Sequence, residues 1–342
     1  MTARPTTNHQ PPITDTSIYH AKLLLFGEHL LLTGAAALAV PVPAFYGQWK
    51  WADTSEPRRA QKHDLSDFAA YLLREGIIGT AFGDDLAKGL YFDSNIPEGY
   101  GLGSSGALCA AIFDRYGALN DQRPQNLTVL NDDGEGVSQK NYDLSRKTEK
   151  DTETLAVLKG IFAQMENFFH GSSSGIDPLT SYANRPLLIE QKTQASMPQM
   201  CTWENPPVIF LMDTRLPRQT GPLVQWYLQQ YELPDFRFRL EQEMLPAHEQ
   251  MLQAWLHADE AIFWPALQQV SAFQLEYFHP MVPATMRVLW QESLKQDDYT
   301  IKICGAGGGG FMLGFAREQN TIEQLRAQNN LNILLPFSER DK

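Results

Sequence analysis

The sequence predicts an α+β fold divided into two domains. Strand-like and helical segments are mixed without the strict alternation that is typical of a doubly wound parallel sheet. With 342 residues, the chain exceeds the roughly 250–300 residues at which a single hydrophobic core stops growing. The stretch 191–207 is polar and irregular, and it marks the predicted boundary. We predict a disordered tail over 1–17, an N-terminal domain over 18–200 and a C-terminal domain over 201–342.

Short apolar runs predict the strands, and apolar residues at helical spacing predict the helices. The predicted strands cover 21–26, 36–42, 91–96 and 208–214, and two more flank a glycine run at 305–310. The predicted helices cover 67–75, 104–116 and a longer segment with apolar residues from Leu155 to Phe169. A glycine-rich segment therefore lies between a strand and a helix in the first half, and a glycine run lies between two strands in the second.

The composition is that of an ordinary globular protein, with 43% hydrophobic and 20% charged residues. The net charge of −12 argues against a nucleic-acid partner, which calls for a basic face, and against an anionic membrane surface. An anionic ligand would have to be met by a local group of donors or by a metal ion.

The cysteines and the N-terminus indicate a cytoplasmic protein. Cys109, Cys201 and Cys304 are widely separated and odd in number, which fits neither a disulfide framework nor a zinc site. The polar N-terminal tail has no apolar core like that of a signal peptide. The longest apolar stretch, Leu30 to Val40, is interrupted by Thr33 and Gly34 and is too short to span a bilayer.

The glycine-rich segment at 99–106, with the sequence GYGLGSSG, is the first candidate binding site. Glycines let backbone amides approach a ligand closely, and the start of the following helix adds unpaired N–H donors. Ser104 and Ser105 can cap that helix, or bind a phosphate oxygen or a metal ion. The ordinary alternative is a glycine turn with a serine cap and no ligand.

The glycine spacing also fits a dinucleotide-binding fingerprint, at Gly101-x-Gly103-x-x-Gly106 and again in the run at 305–310. The context does not support a Rossmann unit, since no acidic strand end follows at the expected distance. The Walker sequence and the protein-kinase signatures are absent. A dehydrogenase therefore remains an alternative that rests on glycine spacing only.

Charged or titratable residues at three places are further candidates. Lys22 interrupts an apolar strand, and Glu28 and His29 follow the end of that strand. Glu166 lies about three helical turns after Leu155, close to the apolar face of the helix, where a carboxylate needs a partner. Each of these has an ordinary alternative: an edge lysine, a solvated pair, or a salt bridge at the edge of the core.

The segment His170 to Asp177 is a turn of small residues that presents an acid on a tightly bent backbone. By itself, Asp177 would more often be a turn or cap residue than a catalytic group.

Taken together, these segments resemble the GHMP kinase superfamily, and within it the mevalonate kinases. Three family motifs occur in the expected order: KLLLFGEHLLLTGAAALAVPV, PEGYGLGSSGAL and KICGAGGGGFMLGF. Two further segments, ENFFHGSSSGID and DTRLPRQTGPLV, narrow the match. The resemblance extends from about Lys22 to Phe315.

The resemblance implies a fold, an activity and roles for individual residues. It implies an N-terminal ATP-binding domain like ribosomal protein S5 domain 2, a ferredoxin-like C-terminal GHMP kinase domain and an active site between them. The activity would be ATP- and Mg²⁺-dependent phosphorylation of a hydroxyl group on a small metabolite. Asp177 would be the catalytic acid–base residue and Lys22 its cationic partner, while Ser105 and Glu166 would bind Mg²⁺. The implied nucleotide-binding residues are Gly101, Leu102, Gly103, Ser104, Ser105 and Gly106, and the implied substrate-binding residues are Glu28, His29, Arg218, Thr220, Gly307 and Gly308.

The resemblance favours mevalonate as the substrate, in the synthesis of isoprenoid precursors. Galactokinases carry Asp-Tyr after the Glu-His pair, where this chain has Leu30 and Leu31. Phosphomevalonate kinases often have Glu-Tyr in place of the pair that is Glu28-His29 here. Two departures from the family motifs, Ser172-Ser173 and Tyr100, bear on substrate fit. The alternatives are a phosphomevalonate kinase, a sugar kinase and a catalytically inactive ligand-sensing relative. A homodimer is left open.

Overall fold

The computed structural model describes residues 17–52, 65–117, 152–191, 194–217, 220–329, 332–335 and 337. Within this part of the chain, the strands form two antiparallel sheets, and the helices pack against them. The predicted α+β class is confirmed. The predicted tail lies outside the described residues except for Ser17, and the domain boundary near residue 200 stays a prediction.

The first sheet is formed by the N-terminal half of the chain. Its strands are β1 (Tyr19–Phe26), β2 (Ala37–Trp51), β3 (Leu90–Ser94), β4 (Leu187–Glu190) and β5 (Gln194–Ser196). Their order is β1-β2-β4-β5, and β3 pairs with the far end of β2. The second strand is longer than the predicted run, because its last third pairs with β3 and no longer needs to be apolar on both faces.

Five helices accompany the first sheet: α1 (Ser66–Arg74), α2 (Ala81–Ala87), α3 (Ser104–Tyr116), α4 (Thr152–His170) and α5 (Ile176–Ala183). The third and fifth helices pack against each other and against β1, and α4 packs on both of them. The buried residues of α4 recur every three or four positions, as the sequence predicted. This layer brings the starts of α3 and α5 beside Lys22 in the middle of β1.

The second sheet is formed by the C-terminal half. Its strands are β6 (Val208–Asp213), β7 (Tyr299–Ile303), β8 (Phe311–Ala316) and β9 (Ile333–Leu334), in the order β7-β8-β6-β9. All residues of β7 and β8 are buried, which explains the continuous apolar sequence of β8 and the apolar residues on either side of Lys302 in β7. The glycine run connects these two strands.

The helices of the C-terminal half cover the second sheet, with α8 and α9 packed together and α9 lying on β7. They are α6 (Thr220–Tyr231), α7 (Pro234–Arg239), α8 (Leu245–His257), α9 (Glu260–Tyr277), α10 (Arg287–Ser293) and α11 (Gln319–Asn329). A π-helical turn at Leu240–Met244 joins α7 to α8, and short 3₁₀ turns lie at Leu30–Thr33, His279–Met281 and Ala284–Met286. In the described part of the chain, each helix is too short or too polar to cross a bilayer.

Candidate active site

The glycine-rich loop between β3 and α3 has the conformation of a ligand-binding turn. Gly99, Gly101 and Gly103 all have left-handed φ angles, of 78°, 77° and 71°, which side chains other than glycine rarely adopt. Ser104 is the first residue of α3, so the loop ends at the start of a 13-residue helix. Free N–H groups and the positive end of the helix dipole at this point favour an anion.

Lys22 and Asp177 form an ion pair beside this loop, with 2.8 Å between Nζ and Oδ1. The backbone N–H of Lys22 donates to the carbonyl of Leu102 at 2.9 Å, which ties β1 to the loop. A Cβ at Gly103 would lie 3.3 Å from Lys22 Cγ and 3.4 Å from Asp177 Oδ2. The side chain of Asp177 is 32% exposed and that of Lys22 is 11% exposed. The carboxylate is therefore held by a buried cation and remains open to a ligand.

Two glycines bring Asp177 to this position. Gly175 precedes α5 with a φ of 72°, and a Cβ there would lie 2.2 Å from the carbonyl oxygen of Lys159. A Cβ at Gly106 would lie 2.9 Å from the Cβ of Asp177. The absence of a side chain at Gly106 therefore lets the first turns of α3 and α5 approach closely, and its absence at Gly175 lets the start of α5 approach α4. This packing explains the glycine in each motif.

A second set of polar side chains surrounds Glu166, which is only 3% exposed. Ser105 Oγ donates to Glu166 Oε1 at 3.1 Å, and Ser173 Oγ donates to Oε2 at 2.6 Å. The Nε2 atom of His170 lies 3.0 Å from Ser105 Oγ. Both carboxylate oxygens thus have hydroxyl partners, which satisfies a buried acid at the edge of the core.

Burial, which is the largest cause, and the nearby charge of Asp177 together raise the pKa of Glu166 to about 7. The hydrogen bonds from Ser173 and Ser105 and the charge of Lys22 act in the opposite direction. A carboxyl group with such a pKa changes its charge near neutral pH. A bound cation would favour its ionised form.

The donors around Glu166 fit a magnesium ion. Hydroxyl and carboxylate oxygens are the ligands of a hard cation, and Mg²⁺ is usually held by one or two carboxylates together with substrate phosphates and water. Among the described residues, no group of three or more His, Cys, Asp or Glu side chains could hold a metal ion. The residues present therefore suit a cation that takes most of its ligands from a bound phosphate and from water.

The structure gives Glu28 a different role from the one predicted. Its side chain is 2% exposed and forms an ion pair with Lys302 of β7, whose side chain is fully buried. The Lys302 ammonium also donates to the carbonyls of Leu25 at 3.2 Å and Ile303 at 2.9 Å. Burial raises the pKa of Glu28, and the charge of Lys302 opposes this shift. The prediction that Glu28 contacts a substrate is corrected, because its carboxylate faces the core and joins the two halves of the chain.

His29 lies at the junction between the two halves. It has a left-handed φ of 58°, and its Nε2 atom lies 3.0 Å from the carbonyl oxygen of Ala306 in the glycine turn. The residue is only 7% exposed. The structure therefore places His29 against the glycine turn.

The glycine turn itself is closely packed. A Cβ at Gly307 would lie 2.7 Å from the carbonyl oxygen of Met281, and one at Gly308 would lie 2.7 Å from Leu223 Cδ1. These two glycines are explained by packing within the second half, and a role in substrate binding stays a prediction. Thr220 is the first residue of α6, and Arg218 lies outside the described residues.

Comparison with known proteins tests the resemblance. Residues 67–131 match the family model of the GHMP kinases N terminal domain. Mevalonate kinase from L. major, solved in complex with R-mevalonate, is 16% identical, with a TM-score of 0.59 and coverage of 94% of this chain and 96% of the other. Phosphomevalonate kinase from Streptococcus pneumoniae is 15% identical, with a TM-score of 0.62 and coverage of 93% and 97%. The chain has the GHMP kinase fold. The predicted resemblance to the superfamily is confirmed.

The GHMP kinase fold is shared with proteins that differ in their substrates. Galactokinase from Lactococcus lactis, solved with galactose, is 13% identical, with a TM-score of 0.55 and coverage of 93% of this chain and 92% of the other. No curated protein sequence matches the chain. All strand pairs in the two sheets of the described chain are antiparallel, whereas a Rossmann unit requires parallel strands. The antiparallel sheets therefore exclude the interpretation of the glycine spacing as a Rossmann dinucleotide-binding motif.

The sequence predictions assigned no site role to His170 or Lys302, and they named Tyr100 and Ser173 only as departures from the family motifs. Ser173 and His170 lie within the segment already singled out for Asp177, and their hydroxyl and imidazole groups were the available signal. Lys302 interrupts an apolar strand in the same way as Lys22, and the same reasoning would have selected it.

Proposed function

We propose that the chain transfers the terminal phosphoryl group of ATP to a hydroxyl group of a small metabolite. The observation that carries this proposal is the ion pair of Lys22 and Asp177 beside a left-handed glycine loop at the start of a helix. The loop supplies backbone donors for an anion, and the adjacent carboxylate is open to a second ligand. Lys22 of β1 contacts both groups, since its backbone N–H donates to Leu102 of the loop and its ammonium pairs with Asp177.

The proposed mechanism depends on positioning and on charge stabilisation, which dominate phosphoryl transfer. The amides of the loop and of the first turn of α3 hold the nucleotide phosphates. Asp177 accepts a hydrogen bond from the attacking hydroxyl group and takes its proton as the new oxygen–phosphorus bond forms. The bond between the γ-phosphorus and the bridging oxygen breaks at the same time, and ADP leaves. The ammonium of Lys22 holds the Asp177 carboxylate in place and offsets negative charge that develops on the transferred group.

Ser105 and Glu166 would hold a magnesium ion, together with phosphate oxygens. When bound, the ion neutralises part of the charge on the nucleotide phosphates. The hydrogen bond between Ser105 and Glu166 already brings the two oxygen donors together. Ser173 would keep the second carboxylate oxygen of Glu166 oriented through its 2.6 Å hydrogen bond.

Mevalonate is the proposed substrate. It carries one carboxylate, a tertiary hydroxyl and the primary hydroxyl to be phosphorylated, so its pocket needs few donors and some apolar surface. The family motifs supply Lys22, His29 and Arg218 as donors beside Leu30 and Leu31. Phosphomevalonate has an additional phosphate and would call for further cationic groups. The small number of cations in the motifs therefore favours mevalonate.

We expect purified protein with Mg·ATP to release ADP faster with mevalonate than with phosphomevalonate, galactose or homoserine. Each alcohol is assayed at the same concentration, with coupled detection of ADP and a reaction without alcohol as the control. Faster turnover of phosphomevalonate or galactose would overturn the substrate while keeping the reaction class. Binding of mevalonate without ADP release above the control would instead favour a ligand-sensing relative.

We expect Glu166→Gln to raise the Mg²⁺ concentration for half-maximal activity at least about tenfold, since even indirect partners of metal ligands contribute 10–100-fold. Metal-free stability should respond to pH as well. Because the folded-state pKa is raised to about 7, the contribution of Glu166 to stability is fully present below its unfolded pKa and is lost as pH rises through about 7. The melting temperature of Glu166→Gln should therefore rise relative to that of the unsubstituted chain between about pH 5 and about pH 8.

The matched control is Glu153→Gln, which changes an exposed glutamate in the first turn of the same helix. It should leave the Mg²⁺ requirement unchanged. Mg²⁺ dependence is followed by turnover and, separately, by calorimetric titration with Mg·ADP. A large loss of stability in Glu166→Gln with an unchanged Mg²⁺ requirement would show that the acid serves only the packing of α4.

A further inference from the structure

Tyr100 extends from the glycine-rich loop to the second sheet. Its hydroxyl donates to Asp213 Oδ1 at 3.3 Å, at the end of β6. Its ring packs on Phe311, the first residue of β8, with 4.7 Å between the ring centroids. A Cβ at Gly310 would lie 3.4 Å from the Cα of Tyr100, so the backbones of the two glycine segments also meet here.

The surface that receives Tyr100 is fixed by its own hydrogen bonds. Asp213 Oδ1 also accepts from the backbone N–H of Arg215 at 2.8 Å. The backbone N–H and the hydroxyl of Thr214 both donate to the carbonyl of Gly310, at 2.9 Å and 2.7 Å. The N–H of Gly310 donates in turn to the carbonyl of Leu216 at 2.8 Å. Tyr100 therefore binds a preformed corner of the second half.

Ordering the loop that carries Tyr100 costs much backbone conformational entropy. Glycine loses more backbone freedom on folding than any other residue, and Gly99 and Gly101 flank Tyr100 on both sides with left-handed φ angles. A side chain anchored outside the loop restricts these glycines before a ligand arrives. Such preorganisation lowers the entropic cost of binding.

We infer that Tyr100 is a positioning residue that holds the phosphate-binding loop against the glycine turn of the second half. This inference rests on the proposed function, because it assigns the loop to nucleotide phosphates. The Tyr100 side chain contacts Asp213 and Phe311 and not the reacting atoms. It acts through Gly101 and Gly103, whose amides it keeps in the conformation that binds an anion, and it fixes the spacing between the nucleotide site and the opposite wall of the cleft.

The test compares Tyr100→Phe, which keeps the ring contact, with Tyr100→Ala, which removes both contacts. The hydrogen bond and the aromatic pair each contribute modestly to the anchoring of the loop. We therefore expect Tyr100→Ala to weaken Mg·ADP binding about tenfold and Tyr100→Phe about threefold. The KM for ATP should rise by similar factors, with a smaller change in kcat. Amide hydrogen exchange at 101–105 without nucleotide should accelerate about tenfold in Tyr100→Ala.

The matched control is Tyr277→Ala. The Tyr277 hydroxyl accepts from Arg239 at 3.2 Å, and its ring lies 4.6 Å from that of Phe273, so similar contacts are lost within the second half. Its nucleotide affinity and loop exchange should not change. Unchanged loop exchange in Tyr100→Ala would overturn the inference, and tighter nucleotide binding would also overturn it by showing that Tyr100 covers the site. If the unsubstituted chain binds no nucleotide, the proposed function fails, whereas the exchange measurement still tests the anchoring of the loop.

Discussion

Asp177→Asn is expected to lower kcat by about 10²–10⁴-fold, which is the usual contribution of a general base. Asparagine has nearly the same shape as aspartate, so the packing of the first turn of α5 against Gly106 should persist. The amide cannot take a proton from the substrate hydroxyl group, and it leaves the Lys22 ammonium without its anionic partner. Mg·ATP affinity should change much less than kcat, because the loop amides are untouched.

The control for Asp177→Asn is Asp93→Asn. Asp93 forms an ion pair with Lys50 across β2 and β3, with 2.5 Å between Nζ and Oδ2, and both side chains are partly exposed. Turnover of this variant should equal that of the unsubstituted chain, because an exposed lysine–aspartate pair contributes little. Near-normal kcat in Asp177→Asn, with nucleotide affinity retained, would remove Asp177 from the mechanism.

Lys302→Met is expected to destabilise the fold by about 3–5 kcal/mol, since it leaves the Glu28 carboxylate buried without its partner. The side chains are 0% and 2% exposed, so water cannot replace the lost contact. The change also removes the donor to the Leu25 and Ile303 carbonyls. The free energy of unfolding is measured by urea titration at constant pH.

A double variant distinguishes the cost of an unpaired buried charge from the cost of losing the ion pair. Glu28→Gln combined with Lys302→Met removes both charges and should be more stable than Lys302→Met by about 1 kcal/mol or more, because no unpaired charge remains buried. The control is Arg239→Met, which breaks a half-exposed pair with Glu243 and should cost less than about 1 kcal/mol. If Lys302→Met lowered the free energy of unfolding by as little as Arg239→Met, this result would contradict a buried ion pair between the two halves.

Local sequence signals predicted several elements that position the site. The helix from Ser104 was predicted from its apolar residues, and α3 begins there. The apolar runs in β1 and β8 were predicted because strands covered on both faces need few polar positions. Such features depend on neighbours a few residues away, which sequence periodicity records.

The contacts between the two halves could not be predicted in this way. Glu28 and Lys302 are 274 positions apart, and Tyr100 and Asp213 are 113 apart. A single long-range pair leaves no periodic pattern in either segment, so Glu28 was assigned to the substrate on family resemblance when its partner was in the core. The pairing of Lys22 with Asp177 was expected only from the resemblance, since neither residue carries a local signal that names the other.

The most direct test follows the phosphorus atom itself. Mg·ATP and mevalonate are incubated with the unsubstituted chain and, in parallel, with Asp177→Asn, and phosphorus NMR records the products. We expect equal amounts of ADP and a new phosphate monoester from the unsubstituted chain, and almost unchanged ATP with Asp177→Asn. ADP accompanied only by inorganic phosphate, or equal amounts of monoester from both chains, would contradict phosphoryl transfer to an alcohol directed by Asp177.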